Sequence, residues 1–218
     1  MTTSTATIAW WLLPVILASA LLHIQAEYAG LRQRVYVFKP LTTSLIILFA
    51  LLITPPIMPV YKALIVAGLL FSLGGDVFLM LPNDRFVFGL LSFLIAHLLY
   101  IAAFVSRGGF HADSVGLAVY ALYGAVMLAL LWRGLGSLRI PVVVYMTVIL
   151  VMGWQAFALW RAMPGWGTAC AAIGAALFVV SDSVLAYDRF RTKLAVGRAL
   201  VLSTYFTAQT LLALSAAG

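Results

Sequence analysis

Charge is scarce in this chain: six Asp and Glu and 13 Lys and Arg make only 9% of the residues charged. A water-soluble fold needs a polar shell, and a chain that is 65% apolar has too few side chains to build one. It reads as an integral membrane protein. Cysteine is nearly absent as well. Cys170 stands alone in an apolar run, which excludes an intrachain disulfide and a cysteine-based metal cluster. Three scattered histidines supply no H-E-x-x-H pair, so no metal site is expected. A serine triad lacks its G-x-S-x-G elbow. The net charge of +7 is dispersed over short connectors rather than gathered on one surface, which points to anionic lipid headgroups as partners and away from nucleic acid.

What is present is apolar sequence in long runs. Crossing the hydrocarbon takes about 20 apolar residues, and eight stretches qualify, near 7–25, 40–54, 60–81, 86–105, 114–132, 140–160, 166–187 and 194–215. The second is short. The expected fold is an all-α integral membrane protein, an eight-transmembrane-helix bundle forming one domain over 1–218. Connectors of a few residues leave no room for a soluble domain. Ala18, Ser19 and Ala20 resemble a signal-peptide cleavage site, but no Lys or Arg side chain precedes them, as a secretory signal requires. Ten of the 13 Lys and Arg, all but Lys62, Arg107 and Arg161, fall in or beside odd-numbered connectors. Cytoplasmic loops collect these residues, so the odd connectors are expected inside and both termini outside.

The two halves of the chain echo one another. Phe38-Lys39-Pro40 opens span 2 and Arg139-Ile140-Pro141 opens span 6, while Gly68 precedes Asp76 by the same spacing that separates Gly174 from Asp182. Two parallel four-helix repeats would produce this pattern.

Ionisable groups inside a span are costly, about 2.5–3.5 kcal/mol for an Asp at a helix centre, and usually face a cavity or a partner. Asp76 in span 3 and Asp182 in span 7 are expected to share a depth in the cytoplasmic half of the membrane. Gly68, Ser72 and Asp76 line one face at i, i+4 and i+8, a small and polar strip that admits a close neighbour. Gly89, Phe93, His97 and Tyr100 form a face of span 4, and Arg198, Tyr205 and Gln209 a face of span 8. Blander readings stand beside these. An intramembrane Asp also serves to bond helices, with Ser181 or Ser183 able to satisfy Asp182 locally. His97 would equally fit a hydrogen-bonded core, and Lys39 and Arg198 an anchoring role. His23 and His111, near span ends, are expected to face the interface. Trp10, Trp11, Trp132, Trp160 and Trp166 read as interface anchors.

Two carboxylates in a low-dielectric site do not both ionise cheaply, so one keeps a proton near neutral pH while the other is anionic. That pair suits intramembrane aspartyl proteolysis, proton-coupled transport or acid-catalysed cleavage of a lipid bond. Proteolysis fits least, because the protease pattern G-x-G-D would need glycine where Leu73 stands.

Lys39-Pro40, Ser72-Leu73-Gly74-Gly75-Asp76, Phe86 to Gly89 with Phe93, His97 and Tyr100, Ser181-Asp182-Ser183 after Gly174 and Phe178, and Tyr205 with Gln209 resemble the YhhN family of membrane lysoplasmalogenases. The resemblance spans nearly the whole chain. It implies an eight-helix enzyme that hydrolyses the vinyl ether bond of lysoplasmalogens to a fatty aldehyde and glycerophosphoethanolamine or glycerophosphocholine. It also implies Asp76 and Asp182 as the acid/base pair, oriented by His97 and Tyr100. Lys39, Ser72, Ser181, Arg198, Tyr205 and Gln209 would bind the lysophospholipid, and no metal or organic cofactor is needed. The alternatives are a proton-coupled transporter of a small polar or lipid-like solute, using the same carboxylates, and a non-catalytic lipid-binding or assembly protein.

Overall fold

The computed structural model describes residues 2–82 and 85–217, with side-chain environments from Ala9 onward. Among them lie eight α-helices: α1 (Thr2–Tyr28), α2 (Arg32–Leu52), α3 (Pro59–Met80), α4 (Phe86–Gly108), α5 (Ser114–Leu131), α6 (Arg139–Ala162), α7 (Trp166–Phe190) and α8 (Gly197–Leu214). No strand is present among the described residues. Seven of the helices are long and apolar enough to cross a membrane. The one left out is α8, whose 18 residues include Arg198, Gln209 and several hydroxyl groups.

The short second span is a correction. Helix α2 runs for 21 residues and begins at Arg32, eight positions before the expected start. Its first turns, Arg32-Gln33-Arg34, are too polar to register in an apolar window but are good helix formers. Pro40 therefore sits inside the helix rather than opening it, a placement tolerated in membrane helices where neighbours and side chains re-satisfy the backbone. Pro59 does open α3, at the position where its missing N–H costs nothing. Asp113 caps α5, its Oδ1 accepting from the Gly116 N–H at 2.6 Å.

The packing is set by small residues. Helices α3 and α4 form the closest pair: the Tyr100 ring lies where a Cβ on Gly68 would stand, and the Phe93 ring where one on Gly75 would. Helices α7 and α8 make the equivalent pair, with Gly174 against the Ala208 carbonyl. Contacts of α2 with α3 and α8, and of α6 with α4 and α7, close a ring of six helices. Helix α1 lies outside against α2 and α8, and α5 outside against α6. Tyr61, Phe49, Phe104 and Phe178 fill the centre, whereas Trp10, Trp11, Trp132 and Trp166 point outward. His23 does not face the interface: it is fully buried against Phe206, with ring centroids 5.7 Å apart.

Candidate functional site

One cluster of polar side chains in this apolar bundle meets near the end formed by the C-termini of α1, α3 and α7 and the N-termini of α4 and α8. Asp76 lies four residues before the end of α3 and Asp182 eight before the end of α7, about 6 and 12 Å from those ends at 1.5 Å per residue. Both line one cavity of about 420 Å³, together with Lys39, Ser181, Arg198 and Tyr205. Lys193 and Glu27 stand in its wall as well.

Asp76 is almost completely buried and densely partnered. Its Oδ2 accepts from the Thr43 hydroxyl of α2 and from the Tyr205 hydroxyl of α8, each at 2.7 Å. The Lys39 ammonium lies 3.4 Å from Oδ1. A carboxylate that takes two hydroxyl donors and a cation has most of its lone pairs satisfied, which is the arrangement that keeps a buried charge tolerable.

Behind Tyr205 the bonding continues into the bundle. Gln209 donates from Nε2 to the Tyr205 oxygen at 3.2 Å and accepts at Oε1 from Tyr100 at 2.8 Å. The Tyr100 hydroxyl lies 3.4 Å from Ser72 Oγ. The structure thus joins Ser72, Tyr100, Gln209, Tyr205 and Asp76 in one chain running across α3, α4 and α8. Of these, only Asp76 and Tyr205 line the cavity. Ser72, Tyr100 and Gln209 are fully buried and stand behind them.

Asp182 has a different setting. Its Oδ2 accepts a hydrogen bond from the Tyr145 hydroxyl of α6. The neighbouring serines bond elsewhere, Ser181 to the Val201 carbonyl at 3.0 Å and Ser183 to the Val179 carbonyl at 2.7 Å. Neither satisfies Asp182 locally. Asp182 also borders an apolar groove lined by α4, α5, α6 and α7, including Leu90, Tyr123, Met127 and Ile149. The groove shares Leu79, Phe86, Phe93, Asp182 and Leu185 with the polar cavity, so Asp182 stands on the seam between the two.

The structure does not bring His97 to either carboxylate. Both of its ring nitrogens lack a hydrogen-bond partner among the described residues. The imidazole packs edge-on to Phe178 at 4.7 Å and beside Tyr145 at 5.3 Å. At the cavity mouth, Arg198 is exposed and pairs with Glu27 of α1 at 2.8 Å. Lys193 pairs with Asp188 at 2.7 Å.

Sequence reading missed Thr43, Tyr145 and Glu27. Thr43 follows Pro40 by three residues and Tyr145 follows Pro141 by four, so a hydroxyl about one helical turn after a proline was the signal each carried, with spacings that do not match between the halves. Glu27 had one too, as an acid in a run with almost no other charge.

Residues 34–216 match the YhhN family. An uncharacterized membrane protein YhhN of Escherichia coli O6:H1 is 31% identical over 202 residues, covering 93% of this chain and 96% of its own. Lysoplasmalogenase TMEM86A of Homo sapiens is 40% identical over 157 residues, 70% of this chain and 64% of that protein. The Bos taurus protein of the same name is 39% identical over 160 residues, with the same coverage of both chains. The chain therefore spans less than two thirds of these mammalian relatives. No solved structure matches.

Proposed function

The chain belongs to the YhhN family, and from that premise we propose that it is a lysoplasmalogenase, hydrolysing the vinyl ether bond of a lysoplasmalogen to a fatty aldehyde and a glycerophospho-alcohol. The observation that carries this reading is the shared cavity: Asp76 and Asp182 line one polar chamber, and an apolar groove joins it at Asp182. A lysolipid has the same division, a polar head and an apolar chain with the labile bond at their junction.

The two settings divide the labour. Asp182, on the seam and bonded by Tyr145, is the proton donor. It gives its proton to the alkene carbon of the enol ether, leaving an oxocarbenium ion on the carbon attached to oxygen. Asp76, fixed by Thr43, Tyr205 and Lys39, is the anion that stabilises this cation electrostatically. Water then adds to the oxocarbenium carbon, and its proton returns to the Asp182 carboxylate. The hemiacetal so formed collapses to aldehyde and alcohol. Ser72, Tyr100 and Gln209 are positioning residues that hold Tyr205 against Asp76, and Tyr145 positions Asp182 in place of His97. Lys39 is held beside the buried Asp76, so the phosphate falls to Arg198 and Lys193 at the mouth, whose exposed side chains can turn from their own carboxylate partners.

Eight spans complete the architecture, with α8 crossing beside α7 despite its polar residues, of which Tyr205 and Gln209 turn toward the site. The odd connectors face the cytoplasm and both termini lie outside. Two parallel four-helix repeats are supported by matching neighbours: α1 with α2 and α5 with α6, α3 with α4 and α7 with α8. In each half the aspartate accepts from a hydroxyl on the preceding helix, Thr43 or Tyr145.

Purified protein supplied with lysoplasmalogen should release long-chain aldehyde without a proton gradient. Asp76→Asn and Asp182→Asn should each lower turnover by orders of magnitude while the protein stays folded in detergent. Undiminished aldehyde release from both variants would overturn the acid/base pair. Gradient-driven solute uptake into liposomes without aldehyde would replace the enzyme by a carrier.

A further inference from the structure

The cavity mouth carries both signs of charge, and the acids there are not equivalent. Asp188 is fully engaged: Oδ2 takes the Lys193 ammonium at 2.7 Å and Oδ1 the Leu194 N–H at 2.8 Å, which ties the α7–α8 connector. Glu27 is half engaged. Its Oε2 accepts from Arg198 at 2.8 Å, but among the described residues Oε1 faces the His23 ring nitrogen alone, at 3.7 Å and beyond hydrogen-bonding reach. The Arg198 and Lys193 side chains are 67% and 84% exposed, so their heads can turn to a phosphate at little cost, because exposed ion pairs are weak. A ligand that presents an anion to Arg198 and a cation to Glu27 gives each member of that ion pair a new partner for the one it releases.

We propose that Glu27 is a specificity-determining residue that binds the headgroup ammonium of an ethanolamine lysolipid through its free oxygen, and so discriminates against choline. A primary ammonium offers three N–H donors to the carboxylate, whereas a trimethylammonium offers none and holds its charge farther away. A charge-assisted hydrogen bond is worth roughly 10- to 150-fold in affinity when well formed. At a partly exposed mouth the lower end applies, so ethanolamine substrates should be favoured by roughly tenfold. This inference rests on the lysoplasmalogenase reading for its catalytic readout but not for its binding readout.

The test compares lysoplasmenylethanolamine and lysoplasmenylcholine of one alkenyl chain, in the wild type and in Glu27→Gln. Glutamine keeps the shape and an acceptor for Arg198, so the α1–α8 contact survives. Aldehyde release should show a wild-type kcat/KM preference of roughly tenfold for ethanolamine, carried by KM, and the preference should collapse in Glu27→Gln. Equal use of both lipids by the wild type, or a preference retained by the variant, would overturn the inference while leaving the hydrolase reading intact. Binding of the corresponding acyl lysophosphatidylethanolamine and lysophosphatidylcholine to purified protein gives a readout without turnover. A Glu27-dependent ethanolamine preference in binding, with no aldehyde from either substrate, would sustain the headgroup site and sink the hydrolase. Equal binding of the two lipids by wild type and variant would reject the headgroup site.

Discussion

Replacing Tyr205 by phenylalanine removes one oxygen and probes the Asp76 setting directly. The hydroxyl donates to Asp76 Oδ2 at 2.7 Å and accepts from Gln209 Nε2 at 3.2 Å. Its ring packs edge-on to Phe93 and Phe178, with centroids 5.9 and 5.4 Å away, and phenylalanine keeps that packing. What is lost is one donor to a buried carboxylate, about 1.5–3 kcal/mol. If Asp76 stabilises the cationic transition state, this converts to a fall in kcat of roughly 10- to 150-fold at 1.4 kcal/mol per tenfold. KM should move little, since the lost bond is to an enzyme group. The decisive assay is a double-mutant cycle on aldehyde release using Tyr205→Phe, Asp76→Asn and the pair. A residue that acts only through Asp76 adds almost nothing once Asp76 is neutral, so the cycle should show a coupling close to the whole Tyr205 effect. Independent, additive losses would mean that Tyr205 touches substrate itself. A Tyr205→Phe variant with wild-type kcat would refute the role given to the Asp76 network.

Tyr145→Phe should lower kcat at least as much as Tyr205→Phe, because among the described residues Asp182 takes its hydrogen bond from Tyr145; matched kinetics of the two variants check this, and an unaffected rate would detach Tyr145 from Asp182. His97→Leu should raise detergent stability by about 1–2 kcal/mol, since it deletes buried nitrogens that have no partner among the described residues, and should keep most aldehyde release; a collapse of turnover in a folded protein would place His97 in the chemistry. Gly75→Ala puts a methyl about 2.5 Å from two Phe93 ring atoms, so the ring that lines the cavity must move, at a cost of about 1–3 kcal/mol. Thermal unfolding and aldehyde release should fall together there, whereas unchanged melting would show that the α3–α4 contact has slack.

Much of this protein was legible in its sequence because the bilayer is a severe solvent. A backbone in hydrocarbon must satisfy its own hydrogen bonds, so long apolar runs become helices wherever they occur, and the all-helical build follows from composition. The same severity picked out Asp76 and Asp182, since a charge placed where charge is costly needs a reason. Boundaries were less legible where polar residues continue a helix: Arg32-Gln33-Arg34 begins α2 by propensity rather than hydropathy. Helix α8 carries the same conflict, because Tyr205 and Gln209 lower the hydropathy of the helix that delivers them.

Partnership was left to the tertiary structure. Sequence gave each aspartate a helical face, but whether Ser183 or Tyr145 would reach Asp182 depends on how α6 and α7 pack, and Tyr145 is 37 residues away in the chain. Thr43 and Tyr205 reach Asp76 across separations of 33 and 129 residues. Ser72, Tyr100 and Gln209 are joined to Tyr205 by hydrogen bonds across three helices, a connection that no single helical face could display. Hydropathy acts on each segment alone and is written in residue order, whereas a hydrogen bond between helices exists only once small residues such as Gly68 and Gly75 have let those helices close.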